Sequence, residues 1–469
     1  MLRSRRAQLA TAALGTLALA FASAPSAPAA TTPAATTPAS HGSAPKLEPA
    51  KPGPLVHVSM PPVGISIEYP LLAQYLGAGP CPPSSLTAEL LRLGSPPLHI
   101  GGNSQDLTIP SGALVPPIPS WDRSTLYVLP AAFWSQLHCL LGATKEPLTA
   151  GINMKSSELT WDAQMVAGAE SAATNGVSFS LGNEPDLYYL PNYASLGKAT
   201  GNLEVAGADL YIQLAALLRP LLGTAPLIAP ELAHSTDWRS QFERVIREVH
   251  AQIVGVHLYP LSDCGSPAAV TIPRLLSIES ADAPEQLAWV VHDANAAGLP
   301  PVITEANSAA CGGKAGVSDT PASAVWSVRF VLSALETGFR EVRFHLSGGP
   351  YDPFIMRGTR VSERPLAGAL AALNAWFPLN STLHVIPAPA GTVETAVSGG
   401  PVQLIVDNER TRAETITLPF STNVDAEILT STRRGFAHAV LPARRGHVKV
   451  KLAPESIVAV LSPQPPRAA

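Results

Sequence analysis

Residues 177–186 read VSFSLGNEPD, a short apolar run that ends abruptly in Asn183, Glu184, Pro185 and Asp186. Near-continuous apolar runs of this length are typical of parallel strands that are buried on both faces. Seven further runs of the same kind surround it, at Val63–Glu68, Leu98–Asn103, Gly151–Ser156, Pro226–Glu231, Ile253–Tyr259, Pro301–Asn307 and Glu341–Ser347. The sequence therefore predicts eight parallel strands.

Helical patterns separate many of these runs. In one of them Thr320 is the predicted N-cap, Pro321 lies in the first turn and Gly338 follows the last turn. Strands that alternate with helices over about 300 residues predict an α/β fold, namely a (β/α)8 TIM barrel. An open doubly wound sheet is the alternative, but no GxGxxG sequence follows the first strand.

The pattern changes after about residue 376, where short strand-like runs separated by turn residues predict an antiparallel β-sandwich. These runs are Leu383–Ile386, Val393–Val397, Val402–Val406, Thr415–Leu418, Asp425–Leu429 and Ile457–Leu461. We therefore assign residues 55–375 to the catalytic barrel and residues 376–465 to a C-terminal β-sandwich domain.

The N-terminal segment reads as a targeting signal. Residues 1–29 combine three arginines, an apolar stretch and a small-residue cleavage pattern that ends at Ala29, so a cleaved secretory signal is predicted. An uncleaved membrane anchor is the alternative. Residues 30–54 are rich in Ala, Pro and Thr and predict a disordered linker. The expected location is extracellular or tethered to the cell envelope, with no membrane contact after cleavage.

Charge and cysteine content narrow the function classes. The formal net charge is −4 and 14% of residues are charged. The chain therefore lacks the excess of basic residues that is typical of a nucleic-acid-binding protein. Four cysteines in an exported chain favour disulfides, and no CxxC pair indicates zinc. On the predicted fold we favour pairing Cys264 with Cys311, and buried free thiols are the alternative.

Two carboxylates stand at the ends of predicted barrel strands, Glu184 on the fourth and Glu305 on the seventh. Reactive groups of such barrels lie at the carboxyl ends of the strands. Glycoside hydrolysis requires a carboxylic acid to protonate the leaving oxygen, together with a second carboxylate to attack the anomeric carbon or to activate water. Glu231, at the end of the fifth strand, is a rival to Glu184, and a lone strand-end Glu is more often a loop salt bridge.

Several segments resemble glycoside hydrolase family 79, the family of heparanase and microbial β-glucuronidases, within a clan of retaining barrel glycosidases. They are Gly64–Glu68, Ile100–Asp106, Ser180–Asp186, Thr304–Ser308, Gly316–Thr320 and Val342–His345. The resemblance implies that Glu184 is the acid/base and Glu305 the nucleophile. It also implies sugar contacts from Glu68, Asn103, Asn183 and Tyr259, a strand near Leu55–Val58 that joins the sandwich, and neither a metal nor an organic cofactor.

The sequence departs from that family where a uronate would be held. His99 stands where the family is expected to have Arg, and the stretch from Ala306 to Gly313 lacks the larger side chain expected there. Backbone N–H groups at Gly312 and Gly313 could form an anion-binding nest, with a hydroxyl from Tyr351. Lys314 is the obvious cation, although a surface lysine is usually only solvated.

The leading hypothesis is an exported retaining hydrolase of β-linked glucuronides that acts on an oligosaccharide or glycoside substrate. A glycosidase of the same clan for a neutral sugar, such as a xyloside or glucoside, is one alternative. A secreted polysaccharide-binding protein without catalytic activity is the other, although pure binding would need neither Glu184 nor Glu305.

Overall fold

The computed structural model describes residues 51–113, 126–155, 158–187, 203–233, 238–265 and 267–461. The predicted signal and residues 30–50 of the predicted linker lie outside this part of the chain. Its strands, in chain order, are β1 (Val56–His57), β2 (Val63–Glu68), β3 (Leu98–Gly101), β4 (Thr108–Ile109), β5 (Tyr127–Val128), β6 (Leu148–Ile152), β7 (Val177–Leu181), β8 (Leu227–Leu232), β9 (Ile253–Leu258), β10 (Pro301–Ala306), β11 (Val342–Leu346), β12 (Phe354–Arg357), β13 (Arg360–Glu363), β14 (Thr382–Ile386), β15 (Thr392–Ser398), β16 (Val402–Asn408), β17 (Glu414–Leu418), β18 (Val424–Thr430), β19 (Ala437–Leu441), β20 (Ala443–Arg444), β21 (His447–Leu452) and β22 (Ser456–Leu461).

Helices connect the strands of the first part of the chain. They are α1 (Tyr69–Leu76), α2 (Ser84–Arg92), α3 (Phe133–Thr144), α4 (Leu159–Ala172), α5 (Leu203–Leu218), α6 (Phe242–Glu248), α7 (Ile272–Leu275), α8 (Ile278–Ala281), α9 (Ala288–Ala296), α10 (Pro321–Thr337) and α11 (Pro365–Trp376). Short 3-10 turns follow β3 and β7, at Gln105–Leu107 and Pro185–Leu187.

Eight parallel strands close into a barrel in the order β2-β3-β6-β7-β8-β9-β10-β11. Strand β11 closes the barrel against β2, with Phe344 opposite Ile65. The predicted TIM barrel is therefore confirmed. The third strand lies earlier than predicted, at Leu148–Ile152, because its pairing with β3 begins at Leu148 opposite Leu98.

Helix α10 packs between the barrel and the C-terminal sheet. It begins at Pro321 and ends before Gly338, whose φ of 113° lies in the region that favours glycine. Thr320 is the N-cap residue, as predicted, but its hydroxyl donates to the Val317 carbonyl and makes no capping hydrogen bond to the helix. Almost every residue of this helix is buried, since it is covered on both sides.

The C-terminal domain is a sandwich of two antiparallel sheets, as predicted. One sheet has the order β1-β14-β15-β16-β22-β18-β19 and the other has the order β17-β21-β20. Their facing side chains form a separate apolar core: Leu404, Val406, Ile416, Leu418, Val424, Ala426, Val448, Val450, Leu452, Val458 and Val460. Residues 55–62, assigned above to the barrel, instead contribute β1, which pairs with β14 through Val56 and Leu383.

Both disulfides join segments of the barrel. Cys264 pairs with Cys311, which confirms the favoured pairing, and Cys81 pairs with Cys139. The alternative of free thiols is therefore wrong.

The helical stretch Val205–Leu222 is, among the described residues, long and apolar enough to cross a membrane by length and composition alone. In the fold it covers the outside of the barrel, and Ala208, Tyr211 and Ala215 are buried in the hydrophobic core. Core-covering helices of this kind meet the same length and composition criteria.

Candidate active site

Glu184 and Glu305 meet at the carboxyl end of the barrel. Glu184 follows β7, and Glu305 lies on β10, three strands further around the barrel. One carboxylate oxygen of each, together with a ring nitrogen of His257, lie within 4.8 Å of one another. The two carboxylates therefore face the same small volume, as the sequence predicted.

The loop that carries Glu184 is held in a bent conformation. Gly182 and Glu184 have φ values of 67° and 51°, in the left-handed region that a side chain disfavours. The buried carboxylate of Asp106 accepts hydrogen bonds from the N–H groups of Asn183 and Met154, at 3.1 and 3.0 Å. Such contacts offset the backbone strain and orient the carboxylate of Glu184 towards the mouth.

Glu305 is buried, and its two oxygens have different surroundings. Its Oε1 accepts a hydrogen bond of 2.6 Å from the Tyr259 hydroxyl. Burial and the nearby charge of Glu305 raise the pKa of Tyr259, so its hydroxyl keeps its proton and remains a donor. The Oε2 atom lies 3.5 Å from Nδ1 of His345 and has no hydrogen-bond partner in the described structure.

His257 lies between the two carboxylates. Its Nδ1 is 3.0 Å from Oε1 of Glu184 and 3.9 Å from Oε2 of Glu305. Burial lowers the pKa of His257, but the charges of Glu305, Glu184 and Glu231 outweigh burial and raise the pKa to about 10. His257 is therefore a cation at neutral pH that neutralises part of the charge of the pair.

Three of the implied sugar contacts lie beside this pair. Both oxygens of Glu68 are engaged by the loop after β3, since they accept hydrogen bonds from the N–H groups of Asn103 and Ser104 at 3.1 and 2.7 Å. The Asn183 amide donates to the side chain of Asn103 at 3.4 Å. Asn103 and Asn183 thus lie on the same rim of the mouth. Glu68 supports that rim through its hydrogen bonds with the loop after β3.

The predicted uronate side is built from the loops after β10 and β11. Gly312 and Gly313 have φ values of 86° and 76°, and the Tyr351 N–H donates to the Gly312 carbonyl at 3.3 Å. The Tyr351 ring stacks on Tyr259, with the ring centroids 6.3 Å apart. This loop pair therefore forms a wall that adjoins Glu305 through Tyr259.

Lys314 contacts neighbouring protein groups. Its Nζ donates to the carbonyl of Val270 at 3.0 Å, and its N–H donates to the Ser318 hydroxyl at 2.9 Å. A nest at this turn therefore depends on the N–H groups of the glycines.

Glu231 is not a competitor for the position of Glu184. It is buried inside the barrel, and its nearest histidine is His99, with His99 Nε2 3.8 Å from Glu231 Oε1. Burial raises the pKa of Glu231 and lowers the pKa of His99, so burial favours the neutral form of each group. A substrate in the mouth would meet Glu184 and Glu305 first.

His257, Asp106 and His345 are not among the site residues predicted from the sequence. The period of two along β9 was the available signal, because it places His257 and Tyr259 on the same face of the strand.

The His257, Glu184 and Glu305 side chains also present three atoms at distances that a metal ion tolerates. One Glu305 oxygen is already engaged by Tyr259, and the His257 ring nitrogen contacts both carboxylates, at 3.0 Å from Glu184 and 3.9 Å from Glu305.

Comparisons with known proteins support the fold. No family model matches the chain, and no curated protein matches its sequence. A 4-O-α-L-rhamnosyl-β-D-glucuronidase from Fusarium oxysporum 12S, solved with Rha-GlcA, is 18% identical with a TM-score of 0.68 over 89% of this chain and 99% of its own. A GH51 arabinofuranosidase from Xanthomonas axonopodis pv. citri is 14% identical with a TM-score of 0.60 over 88% and 98%.

A family 30 subfamily 8 xylanase from Clostridium acetobutylicum is 14% identical with a TM-score of 0.54 over 87% of this chain and 97% of its own. All three similarities extend over nearly the whole of the other chain. They show that this protein has the barrel with an appended β-domain that these glycoside hydrolases share.

Proposed function

We propose that this protein is a retaining glycoside hydrolase that cleaves β-linked glucuronides by double displacement. The observation that carries the proposal is the convergence of Glu184 and Glu305, whose carboxylate oxygens approach within 4.8 Å at the mouth of the barrel. Carboxyl groups about 5 Å apart leave no room for a water molecule between base and sugar, which favours direct attack and retention.

The two carboxylates take different roles. In the first step Glu184 donates its proton to the glycosidic oxygen, and a Glu305 oxygen attacks the anomeric carbon, so the aglycone leaves as an alcohol. In the second step Glu184 removes a proton from water, whose oxygen displaces Glu305 from the anomeric carbon. The hydrogen bond from Tyr259 stabilises Glu305 as the ionised nucleophile and as the leaving carboxylate.

The surroundings of the pair neutralise part of its negative charge. His257 contacts Oε1 of Glu184 at 3.0 Å and provides positive charge to both carboxylates. Two carboxylates without a cation between them would not both ionise readily, since like charges at this distance repel. A pure sugar-binding protein has no use for such an arrangement.

The choice of a glucuronide rests on the wall formed by Gly312, Gly313 and Tyr351. Backbone N–H groups at left-handed turns and a tyrosine hydroxyl are suitable donors for a carboxylate. The glucuronidase from Fusarium oxysporum also has the highest TM-score of the three structures described above. The expected substrate is an oligosaccharide or glycoside with a terminal uronate.

A neutral sugar is the second candidate, favoured by the contacts of Lys314. Its Nζ donates to the Val270 carbonyl, so a direct contact with a uronate would have to share or replace that hydrogen bond. Hydrolysis of aryl β-glucuronides, β-xylosides and β-glucosides with the same leaving group decides between the two. A rate on the glucuronide below that on both neutral glycosides would reject the uronate assignment.

The reaction class is tested with the nucleophile. Glu305→Gln is expected to lose at least 10³-fold in kcat on 4-nitrophenyl β-D-glucuronide, because the glycosyl–enzyme bond cannot form. Wild-type enzyme is expected to release the β-anomer first, seen by proton NMR, and a 2-fluoro glycosyl fluoride is expected to label Glu305. Glu248→Gln, an exposed substitution, is the matched control. Release of the α-anomer would refute retention.

The acid/base role has its own readout. Glu184→Gln is expected to slow substrates with poor leaving groups far more than dinitrophenyl glycosides, whose aglycone leaves without a proton. Equal losses on both substrates would contradict the assignment of Glu184.

We also propose that the protein is exported. The support is the signal-like composition of residues 1–29, followed by the Ala-, Pro- and Thr-rich segment. N-terminal sequencing of the mature protein is expected to begin at Ala30, and a mature chain that begins at residue 1 or 2 would refute cleavage.

A further inference from the structure

The Cys264–Cys311 disulfide joins the loops that follow β9 and β10; Tyr259 directly follows β9, and Glu305 lies on β10. Both cysteines are exposed. Next to the disulfide, Ser262 and Ala310 form an isolated parallel bridge, and the Ala310 N–H donates to the Leu261 carbonyl at 2.9 Å. The disulfide therefore closes a small two-stranded junction at the rim of the mouth.

The residues that follow this junction adopt an unfavourable backbone conformation. Cys311, Gly312 and Gly313 have φ values of 62°, 86° and 76° in succession. Glycine accepts this region readily, but a cysteine there is strained. Such a turn persists only where its surroundings determine it from more than one side.

The other side of the turn is packed against the loop after β11. A Cβ added to Gly349 would overlap the Gly312 backbone, and one added to Gly313 would lie 2.8 Å from Cβ of Tyr351. Because Tyr351 in turn stacks on Tyr259, the turn is held between the disulfide and the ring next to Glu305. Release of the disulfide removes the covalent support of the turn and leaves its packing against the loop after β11.

We propose that the Cys264–Cys311 disulfide determines substrate specificity by holding the Cys311–Gly313 turn in place as the wall that recognises the sugar carboxylate. This inference rests on the proposed function. The disulfide acts on substrate binding through the turn, and it does not contact the reacting carboxylates. Fixing a binding loop before the substrate arrives removes an ordering cost from binding, which is the physical basis of the effect.

The second disulfide provides a matched control. Cys81 and Cys139 are 58 residues apart and Cys264 and Cys311 are 47 apart, so the two bridges restrict the unfolded chain to a similar extent. Cys139 lies in α3, which follows β5 on the other side of the barrel from β9 and β10. Both double variants are expected to lose comparable stability, and only one of them borders the proposed wall.

The experiment compares Cys264→Ser/Cys311→Ser with Cys81→Ser/Cys139→Ser in the full chain. For each we would measure kcat and KM on 4-nitrophenyl β-D-glucuronide and β-D-glucoside, the inhibition constant of free D-glucuronate, and the melting temperature. In the first variant, KM for the glucuronide is expected to rise about tenfold, while kcat stays within threefold of the wild-type value. The inhibition constant of D-glucuronate is expected to rise by the same factor as KM. The preference of this variant for glucuronide over glucoside falls by a similar factor, while the control variant keeps both KM values within twofold.

The inference would be overturned if the two variants had equal KM values, equal inhibition constants and equal losses of melting temperature. The Cys264–Cys311 disulfide would then contribute only to stability. A wild-type enzyme that hydrolyses only neutral glycosides would refute the carboxylate wall, whatever the variants do. A wild-type enzyme that hydrolyses no glycoside would refute the proposed function itself, and the inference with it.

Discussion

A cation between the two proposed catalytic carboxylates has opposite effects on their two tasks. The proposed nucleophile, Glu305, must be ionised, and a positive His257 at 3.9 Å from its Oε2 favours that form. The proposed acid, Glu184, must carry a proton in the first step, and the same cation at 3.0 Å opposes it. As Glu305 becomes an ester in the glycosyl–enzyme, one negative charge disappears, and His257 then favours ionised Glu184, the form that the second step needs.

His257→Gln tests this view. Loss of the cation makes Glu305 harder to ionise, so the acidic limb of the kcat/KM profile is expected to move up by about one pH unit. On that acidic limb the variant is expected to lose up to about tenfold in kcat/KM, and the loss is expected to fade above it. His292→Gln, at a histidine that is 79% exposed, is the control. An acidic limb that stays in place, with activity lost equally at all pH values, would contradict the electrostatic role.

At the scale of strands, close packing inside the barrel leaves no space for a side chain at some positions. Gly255 lies on β9, and a Cβ there would lie 2.8 Å from Cγ2 of Ile228 and 2.9 Å from Cγ of Glu231. The missing side chain of Gly255 is therefore what accommodates the buried carboxylate of Glu231 on the neighbouring strand.

Gly255→Ala is expected to destabilise the protein by about 1–3 kcal/mol, because the added methyl group forces buried neighbours to shift. Gly142→Ala in α3 is the control, since a Cβ there meets nothing within 4 Å. Alanine at that helical position is expected to leave stability unchanged or to raise it by up to about 1 kcal/mol. Urea unfolding midpoints compare the two variants, and equal midpoints would refute the packing argument.

The barrel strands could be predicted from the sequence because burial on both faces makes them continuous apolar runs. Where a strand is half exposed this signal fails: β21 (His447–Leu452) alternates buried valines with exposed lysines, and its short sequence was not identified as a strand. The order of strands around the barrel follows from the chain order. The pairing of β1 with β14 could come only from the family resemblance, because it joins residues more than 300 positions apart.

The site was predictable to the extent that strand ends converge. Glu184, Glu305 and Tyr259 could be placed together because each ends a predicted strand. The engagement of Glu68 by two backbone N–H groups depends on the path of the loop after β3, which no residue pattern specifies. The same holds for the lysine contact with Val270, which joins two separate loops.

For the molecule as a whole, one buried arginine connects the barrel to the sandwich. Arg329 on α10 donates to both oxygens of Asp407 at 2.7 and 2.8 Å, and to Glu455 at 2.9 Å. Both acidic residues belong to the C-terminal domain. Removing the arginine leaves these carboxylates facing each other in a buried interface without a cation.

Arg329→Leu is therefore expected to cost about 3–5 kcal/mol, as breaking a buried ion pair typically does. Arg329→Lys keeps the charge but not the paired geometry, so an intermediate loss is expected. Arg433→Leu, at an exposed position, is expected to change stability by less than about 0.5 kcal/mol. If Arg329→Leu were as stable as Arg433→Leu, the interface would not depend on this residue.

Buried acids away from the mouth predict how the stability of the whole protein varies with pH. Burial raises the pKa of Glu146, Asp162 and Glu336 to about 8 in the folded chain. In the unfolded chain these carboxyls titrate near pH 4, so between about pH 4 and pH 8 the folded state binds more protons and stability falls as the pH rises. The raised pKa of His257, about 10, acts in the same direction above about pH 6.5.

The free energy of unfolding is therefore expected to be larger at pH 5 than at pH 8, by about 1 kcal/mol or more, since each unit of pKa difference corresponds to about 1.4 kcal/mol. Urea midpoints at the two pH values measure this difference. Glu146→Gln cannot ionise at that position, so its midpoint is expected to fall less between pH 5 and pH 8 than that of the wild type. A wild-type protein more stable at pH 8 would mean that the buried carboxyls are ionised in the folded state.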